Sequence, residues 1–473
     1  MKKYQIVDSA TRGQTLIATR DMKPGELIFL EKQPLMSFSH SFCSKFERNF
    51  DSDLFFALPA FRVFQNDMSP EKQLKFLSLY GPTTGSSAKN FRQVGRDHCR
   101  LTPEELEIFV HVAQIARLNT CGDESSGYKI FEISPRLAQS CAANCECVLQ
   151  GRTSACHAKR FIRAGEVLSV CHVQPGDLLP IHERRYKYLQ RKEFICHCLR
   201  CDAIGDDTRQ FDCSDPACQG VMMVCQPINQ ATIDLFPTDI AYVEPHLLPC
   251  TVCHCTATTE YQTQMFDIEK KLPNWYDRFQ TKFENDELSA KKVLNKLLRL
   301  KFPRRHAAAI PLLMLEYKLK FAMYLDCDTI MAPVAQEAFL QFISALEHIL
   351  GDMHRTTAGY LHELIRVFFK DSAPSIFSPQ QEKELSQKAL RMHLLLFGRD
   401  KRNEILESAT ARALRRLPPI QSTNVCSFCE ESPLRADIKL GGSECSKVAY
   451  CCFCCQVAHW EVHRPTCQHC NTY

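Results

Sequence analysis

The sequence predicts an α+β, multi-domain protein. Strand patterns enclose a helical insert in roughly the first 200 residues, helices fill the stretch after about residue 284, and a cysteine-dense module closes the chain. Three observations carry this. Two early segments, "TLIATRDMKPGELIFLEKQPL" and "CHAKRFIRAGEVLSVCHV", set apolar runs around Pro24-Gly25 and Ala164-Gly165. Later, Leu385, Ala389, Met392 and Leu396 recur at helical spacing. Finally, many of the 27 cysteines fall in clusters spaced by two to four residues.

Taken in order, residues 1–36 read as strands, with a hairpin turn at Pro24-Gly25. A helical insert follows over about 37–114. "LTPEELEIFVHVAQIARLN" begins with Thr102 as N-cap, Pro103 at the first helical position and Glu105 at the third, the pattern of a capping box. The second strand–turn segment lies at 156–173. Residues 203–260 are polar and punctuated by cysteines and read as irregular. In "SPQQEKELSQKALRMHLLLFG", Ser378 with Gln381 starts a helix and Gly398 stops it. "LPPIQST" (417–423) is a linker. These breaks divide the chain into 1–202, 203–260, 261–417 and 424–473.

Composition narrows the class. With 45% apolar residues in 473, the chain can bury sizeable cores in roughly two to four domains. The start, "MKKYQIVDSATRGQTLIATRD", lacks an apolar signal core, and "AAAIPLLMLEYKLKFAMYL" is broken by Glu316, Lys318 and Lys320. A soluble protein of cytoplasm, nucleus or both is expected, with no membrane contact. In such a reducing setting the cysteines read as metal ligands or free thiols rather than disulfides. The formal net charge is +4. Three zinc–thiolate centres at about −2 each would bring it to roughly −2. No clustered basic face appears, so direct nucleic-acid binding is not expected.

The C-terminal module reads "CSFC" (426–429), then "CSKVAYCCFCCQVAHWEVHRPTC" (445–467). Close cysteine pairs followed by H-x3-C are ligand spacings for structural zinc. Their order resembles the MYND zinc finger, which binds two zinc ions. The resemblance implies a first site of Cys426, Cys429, Cys451 and Cys455 and a second using Cys445, His463 and Cys467. Gly442 stands where that second site's fourth ligand is expected, and Glu444, Cys470, a spare cysteine or a water could complete it. In this family the finger binds protein partners, commonly proline-containing peptides, with Gln456 and Trp460 shaping the surface.

"FICHCLRC", together with "LAQSCAANC" and "AGEVLSVCH", resembles a SET domain with its post-SET cysteines. The fold implied is β-rich, with the later chain threading the segment at 136–145 as a pseudoknot. A post-SET zinc site of Cys141, Cys196, Cys198 and Cys201 is implied with it. Cys145 and Cys147 then read as core residues. A further set, Cys213, Cys218, Cys250 and Cys253, has zinc-ribbon-like spacing, and Cys225 or Cys255 could substitute within it.

The SET resemblance implies an S-adenosylmethionine site and a lysine channel. Arg12, Gly13, Gln14, Asn119, Ala138, Gln139 and Phe194 fall at the cofactor-binding positions. The match is incomplete. Where the family has Gly-x-Gly the chain has Gly13-Gln14-Thr15, and where it has Asn-His-Ser-Cys the chain has Ala138-Gln139-Ser140-Cys141. His172 occupies the position of the catalytic tyrosine. Lys192 replaces an aromatic and reads as solvent-exposed. A neutral imidazole could accept a proton from an incoming ammonium, but the ring is shorter than a phenol, and a misplacement of about 1 Å costs on the order of 10²-fold.

Two functions follow from the resemblance. One is an S-adenosylmethionine-dependent protein-lysine N-methyltransferase acting on histone or other lysines, with degenerate catalytic positions. The other is a catalytically inactive, zinc-stabilised adaptor that recruits protein partners through the finger and helical domain, in transcriptional regulation for example. A zinc hydrolase is disfavoured, because no H-E-x-x-H motif is present.

Overall fold

The computed structural model describes residues 2–9, 13–47, 56–99, 101–123, 127–172, 178–225, 245–284, 289–327, 332–351, 354–368, 377–398 and 401–415. They form two compact units. The first comprises Met1–Asp177 and His182–Asp202, the second Leu178–Ile181 and Ala203–Tyr473. Among the described residues no helix is long and apolar enough to cross a membrane.

In the first unit, β1 (Tyr4–Ser9) pairs antiparallel with β2 (Gly13–Ala18). The hairpin expected at Pro24-Gly25 does not form. The turn is present, with Gly25 at φ 83°, but β3 (Leu27–Glu31) leaves it to pair with β9 (Thr153–Ala158). The two similar segments instead pair with each other, antiparallel, about Met22 and Ile162, whose backbones exchange both hydrogen bonds at 2.8 and 3.0 Å. On one side of that point Ala18 N donates to Glu166 O and Gly165 N to Ala18 O. On the other side Ala158 N donates to Glu26 O and Gly25 N to Ala158 O. Gly165 repeats the left-handed φ of Gly25, at 82°. Glu26 and Glu166 each accept from an Arg six residues earlier and from the backbone N–H three residues earlier. Each turn is thus closed by its own carboxylate, while its flanking strands find partners in the other copy. A turn signal fixes the local reversal but not which strand completes the ladder.

The remaining strands and helices of this unit surround that pair. Strand β8 (Cys145–Gln150) extends the sheet to the order β3-β9-β8, and β4 (Met36–Phe38), β6 (Gly127–Ile130) and β5 (Cys121–Asp123) make another. The insert folds as α1 (His40–Glu47), α2 (Ala57–Asn66), α3 (Pro70–Leu77), α4 (Ser86–His98) and α5 (Pro103–Asn119). These helices close over their own core of Phe61, Phe64, Phe76, Phe91 and Phe109, reaching Met36, Phe38 and Ile130. Helix α5 has the expected capping box between Thr102 and Glu105. A separate core of Leu16, Met22, Phe29, Cys145, Cys156, Ile162 and Leu168 lies under the paired segments.

The second unit corrects the irregular reading of 203–260. A three-stranded antiparallel sheet, β11 (Gly205–Asp212), β12 (Val221–Cys225) and β13 (His246–Leu247), buries Phe211, Met222, Val224 and Leu247. Helices α7 (Thr259–Glu284), α8 (Ala290–Leu298), α9 (Ile310–Cys327), α10 (Ala332–Leu350), α11 (Arg355–Phe368), α12 (Pro379–Phe397) and α13 (Lys401–Arg415) follow. They enclose two cores, one around Leu272, Leu297 and Leu315 and one around Phe339, Leu361, Leu390 and Leu406. Ser378 and Gln381 cap α12 reciprocally and Gly398 ends it at φ 72°.

Candidate metal centres

Strand β7 (Ala138–Gln139) lies parallel to β10 (Ser169–Val170), with Ala138 opposite Ser169 and Gln139 opposite Val170. Ser140 N then donates to Val170 O, and the chain turns at Cys141. Buried Asn144 locks the turn. Its amide donates to Val167 O at 2.8 Å and Glu166 Oε1 at 2.9 Å, while its Oδ1 accepts from Ser169 N at 2.8 Å.

The other half of the site arrives after α6 (Ile181–Lys192). Glu193 sits at φ 56°, the left-handed conformation that ends helices and is costly without glycine. Its carboxylate accepts from Ser87 N at 3.2 Å, in the first turn of α4, and from Gln114 Nε2 at 3.3 Å. An anion there is favoured by the helix dipole. The reversal sends Phe194–Cys201 back toward Cys141.

Four sulfurs meet at that point. Cys141, Cys196, Cys198 and Cys201 are all buried, and their Sγ atoms lie within 4.8 Å of one another. Cys141 Sγ is 3.5 Å from Cys201 Sγ and 4.0 Å from Cys196 Sγ. Four thiolates at 2.3 Å around a tetrahedral zinc stand roughly 3.8 Å apart, and a disulfide roughly 2 Å. The spacing fits the ion, and all four thiols are free. Buried thiolates would repel without a dication between them. Cys198 Sγ also accepts from Cys141 N at 3.4 Å.

A second group, Cys213, Cys218, Cys250 and Cys253, also has all four sulfurs within 4.8 Å. Cys213 and Cys218 flank the turn between β11 and β12, and Cys250 and Cys253 follow β13. Each sulfur accepts a backbone N–H from two residues further on: Asp215 N at 3.4 Å, Gly220 N at 3.3 Å, Val252 N at 3.5 Å, and Cys255 N for Cys253. Such donors favour the thiolate form that binds metal. Zinc therefore fits both groups. The positions of the third set, Cys426, Cys429, Cys445, Cys451, Cys455, His463 and Cys467, lie outside the described residues, as does Arg12.

The remaining positions named from sequence gather in part around the first centre. Gln139 bridges to it. Its Nε2 faces Cys141 Sγ at 3.9 Å and Cys196 Sγ at 4.0 Å, while Oε1 accepts from His172 N at 2.9 Å. Ala138 is buried beside it. His172 Nε2 lies 3.2 Å from Leu137 O. Desolvation, then the charge of Lys192, pushes its pKa down to about 4. The residue is exposed, so water screens part of this; the direction leaves the ring neutral at pH 7. Phe194 stacks on Tyr188, with ring centroids 5.8 Å apart, against the four cysteines.

Lys192 is not the solvent-exposed residue expected. Half-buried, it donates from Nζ to Leu118 O, and desolvation with the nearby Arg117 charge lowers its pKa to about 8. Two of the described side chains assigned to S-adenosylmethionine are engaged within the protein. The Asn119 amide donates to Tyr80 O and Ile115 O, both at 2.8 Å, and Gln14 Oε1 accepts from Arg136 Nε at 2.9 Å. Gly13, at φ 63°, has open space where a side chain would stand. Asn119 and Gln14 thus have their side chains held by internal partners.

Sequence reasoning missed Tyr188, which is fully buried with its hydroxyl 3.2 Å from Cys171 Sγ. The signal was present: Ile181, Arg184 and Tyr188, spaced by three and four residues, form the buried face of α6. It also missed Glu193 and Asn144, whose roles depend on partners distant in sequence.

No protein-family model matches the chain, and no curated protein does. Among solved structures, one of Rubisco LSMT bound to AdoMet is similar at 9% identity, covering 88% of each chain with a TM-score of 0.29. A superposition that loose bears on neither fold nor function.

Proposed function

We propose that this chain is a SET-type protein of the S-adenosylmethionine-dependent protein-lysine methyltransferase class, zinc-stabilised and carrying a C-terminal MYND finger for protein partners. The observation that supports it is the first cysteine group. The parallel pairing of β7 with β10 delivers Cys141 to Cys196, Cys198 and Cys201, as a SET pseudoknot with post-SET cysteines requires. In this reading His172 stands at the tyrosine position as a neutral imidazole, oriented through Leu137 O and Gln139. Phe194 stacks on the buried Tyr188 beside the four cysteines. When bound, the cofactor would supply the methyl group.

One set of contacts favours a second reading, a catalytically inactive adaptor. The amide of Asn119 and the side chain of Gln14 are tied up internally, and Lys192 puts an ammonium where an aromatic wall is expected. The chain would then act by recruiting proteins through the finger and helices. Calorimetry of the zinc-loaded chain with S-adenosylmethionine separates the two. Heat of binding with a dissociation constant below about 1 mM supports the enzyme. No heat at that concentration rules it out and leaves the adaptor.

A further inference from the structure

The second cysteine group contains one more sulfur than a tetrahedral zinc needs. Cys255 Sγ lies 3.4 Å from Cys213 Sγ and 3.3 Å from Cys253 Sγ, with Ser214 Oγ at 3.6 Å. It is not one of the four mutually close ligands. What places it there is the backbone. Cys250 N donates to Cys255 O and His254 N to Cys250 O, and His254, between the two cysteines, is held at φ 59°. A β-carbon-bearing residue in the left-handed region is strained, so this loop is over-determined by its surroundings. The strain brings a fifth thiol into contact with two ligands. Of the sulfurs in the group, Cys253 is the exposed one, whereas Cys213 and Cys250 are buried.

We propose that Cys253 and Cys255 form an oxidisable pair through which peroxide releases the second zinc. The Cys253 thiolate attacks one oxygen of a hydroperoxide. The O–O bond breaks, hydroxide leaves and is protonated to water, and Cys253 becomes a sulfenic acid. Cys255 then loses its proton and attacks the Cys253 sulfur. An S–S bond forms, the S–O bond breaks, and the departing hydroxide takes a proton to become a second water. Two thiols have given up two electrons, and one peroxide has been reduced to two waters. The zinc loses one of its four thiolates, and a closed structural site becomes an open, weakly holding one. A thiol reductant returns both cysteines and restores the site.

This rests on the reading of the second group as a zinc site, and the experiment keeps the two apart. The full chain, purified with zinc, is treated with graded hydrogen peroxide. Released zinc is followed with a chromogenic chelator, and disulfides are mapped by peptide mass spectrometry. The expected result is release of one zinc equivalent in step with a Cys253–Cys255 disulfide, both reversed by dithiothreitol. The variant Cys255→Ser keeps all four amide-bonded ligands. It should hold its full zinc complement at rest, lose the disulfide, and accumulate sulfinic acid at Cys253. Zinc release from the wild type with no Cys253–Cys255 disulfide, or a disulfide mapped to Cys213 instead, would overturn the proposal. The zinc reading fails separately, if resting zinc content is the same in wild type and in Cys250→Ser; the mapped disulfide still judges the thiol pair.

Discussion

Replacing Glu269 by Gln should destabilise the second unit by about 3 kcal/mol at pH 7, and the penalty should vanish in acid. Glu269 on α7 takes a two-pronged bond from Arg209 on β11, with Nε at 2.6 Å and Nη2 at 2.7 Å, and His306 Nε2 lies 3.0 Å from the same oxygen. The Glu269 and Arg209 side chains are 18% and 10% exposed, and His306 2%. Burial alone would push this carboxyl up. The hydrogen bond with His306 and then the guanidinium of Arg209 overcome it and hold the pKa at about 2, against an ordinary 4.5.

A shift of that size at 1.36 kcal/mol per unit is worth about 3 kcal/mol. The folded pKa is depressed, so the stability is fully present above pH of about 4.5 and is lost as pH falls toward about 2. The amide leaves a nearly buried guanidinium with half its acceptor, the case in which breaking a pair costs several kcal/mol. Thermal unfolding of wild type and Glu269→Gln at pH 7, 4 and 3 tests this. The expected gap in midpoint is roughly 6–12 °C at pH 7, narrowing steadily below pH 4.5. A gap under about 1 kcal/mol at pH 7, or one that does not change with pH, would refute the assignment of the stability to the ionised carboxylate.

Other perturbations report on the metal centres and on His172. Cys141→Ser should lower bound zinc by one equivalent, measured by atomic emission, and leave the first unit open to proteolysis; unchanged zinc content would count against the first centre. A methyl group added in Gly220→Ala would overlap Cys250 Sγ, so that variant should lose the zinc of the second group while a change at the unrelated Gly151, which meets nothing within 4 Å, should not. The imidazole of His172 should titrate below the ordinary 6.5 by NMR and be neutral at pH 7; a midpoint at or above 6.5 would refute the downward shift.

Features governed by neighbours in sequence were legible from the chain. The caps at Thr102 and Ser378 and the stop at Gly398 are set within four residues, and each stands where its pattern put it. So do the close cysteine pairs among the described residues, Cys196 with Cys198 and Cys201, Cys213 with Cys218, and Cys250 with Cys253, since a loop of one to four residues can bring both sulfurs to one point. The resemblance to SET proteins supplied Cys141 as the partner of Cys196, Cys198 and Cys201, which spacing alone left open. The hairpin at Pro24-Gly25 was misread because its turn is local while the ladder it feeds belongs to a segment about Ile162. Lys192 was misread because helix periodicity does not reveal that a backbone carbonyl at Leu118 awaits its ammonium.

By itself, then, the sequence determined the helix ends, the turns and the grouping of cysteines, because these depend on backbone sterics and on donors a few bonds away. Only the tertiary structure decided which strands complete each other's ladders, that Asn119 and Gln14 face inward partners, and that Cys255 rather than Cys225 is the fifth sulfur beside the second centre. The reason is physical. A hydrogen bond or a metal ligand needs atoms within a few ångströms, and for residues far apart along the chain that distance exists only after the cores have closed.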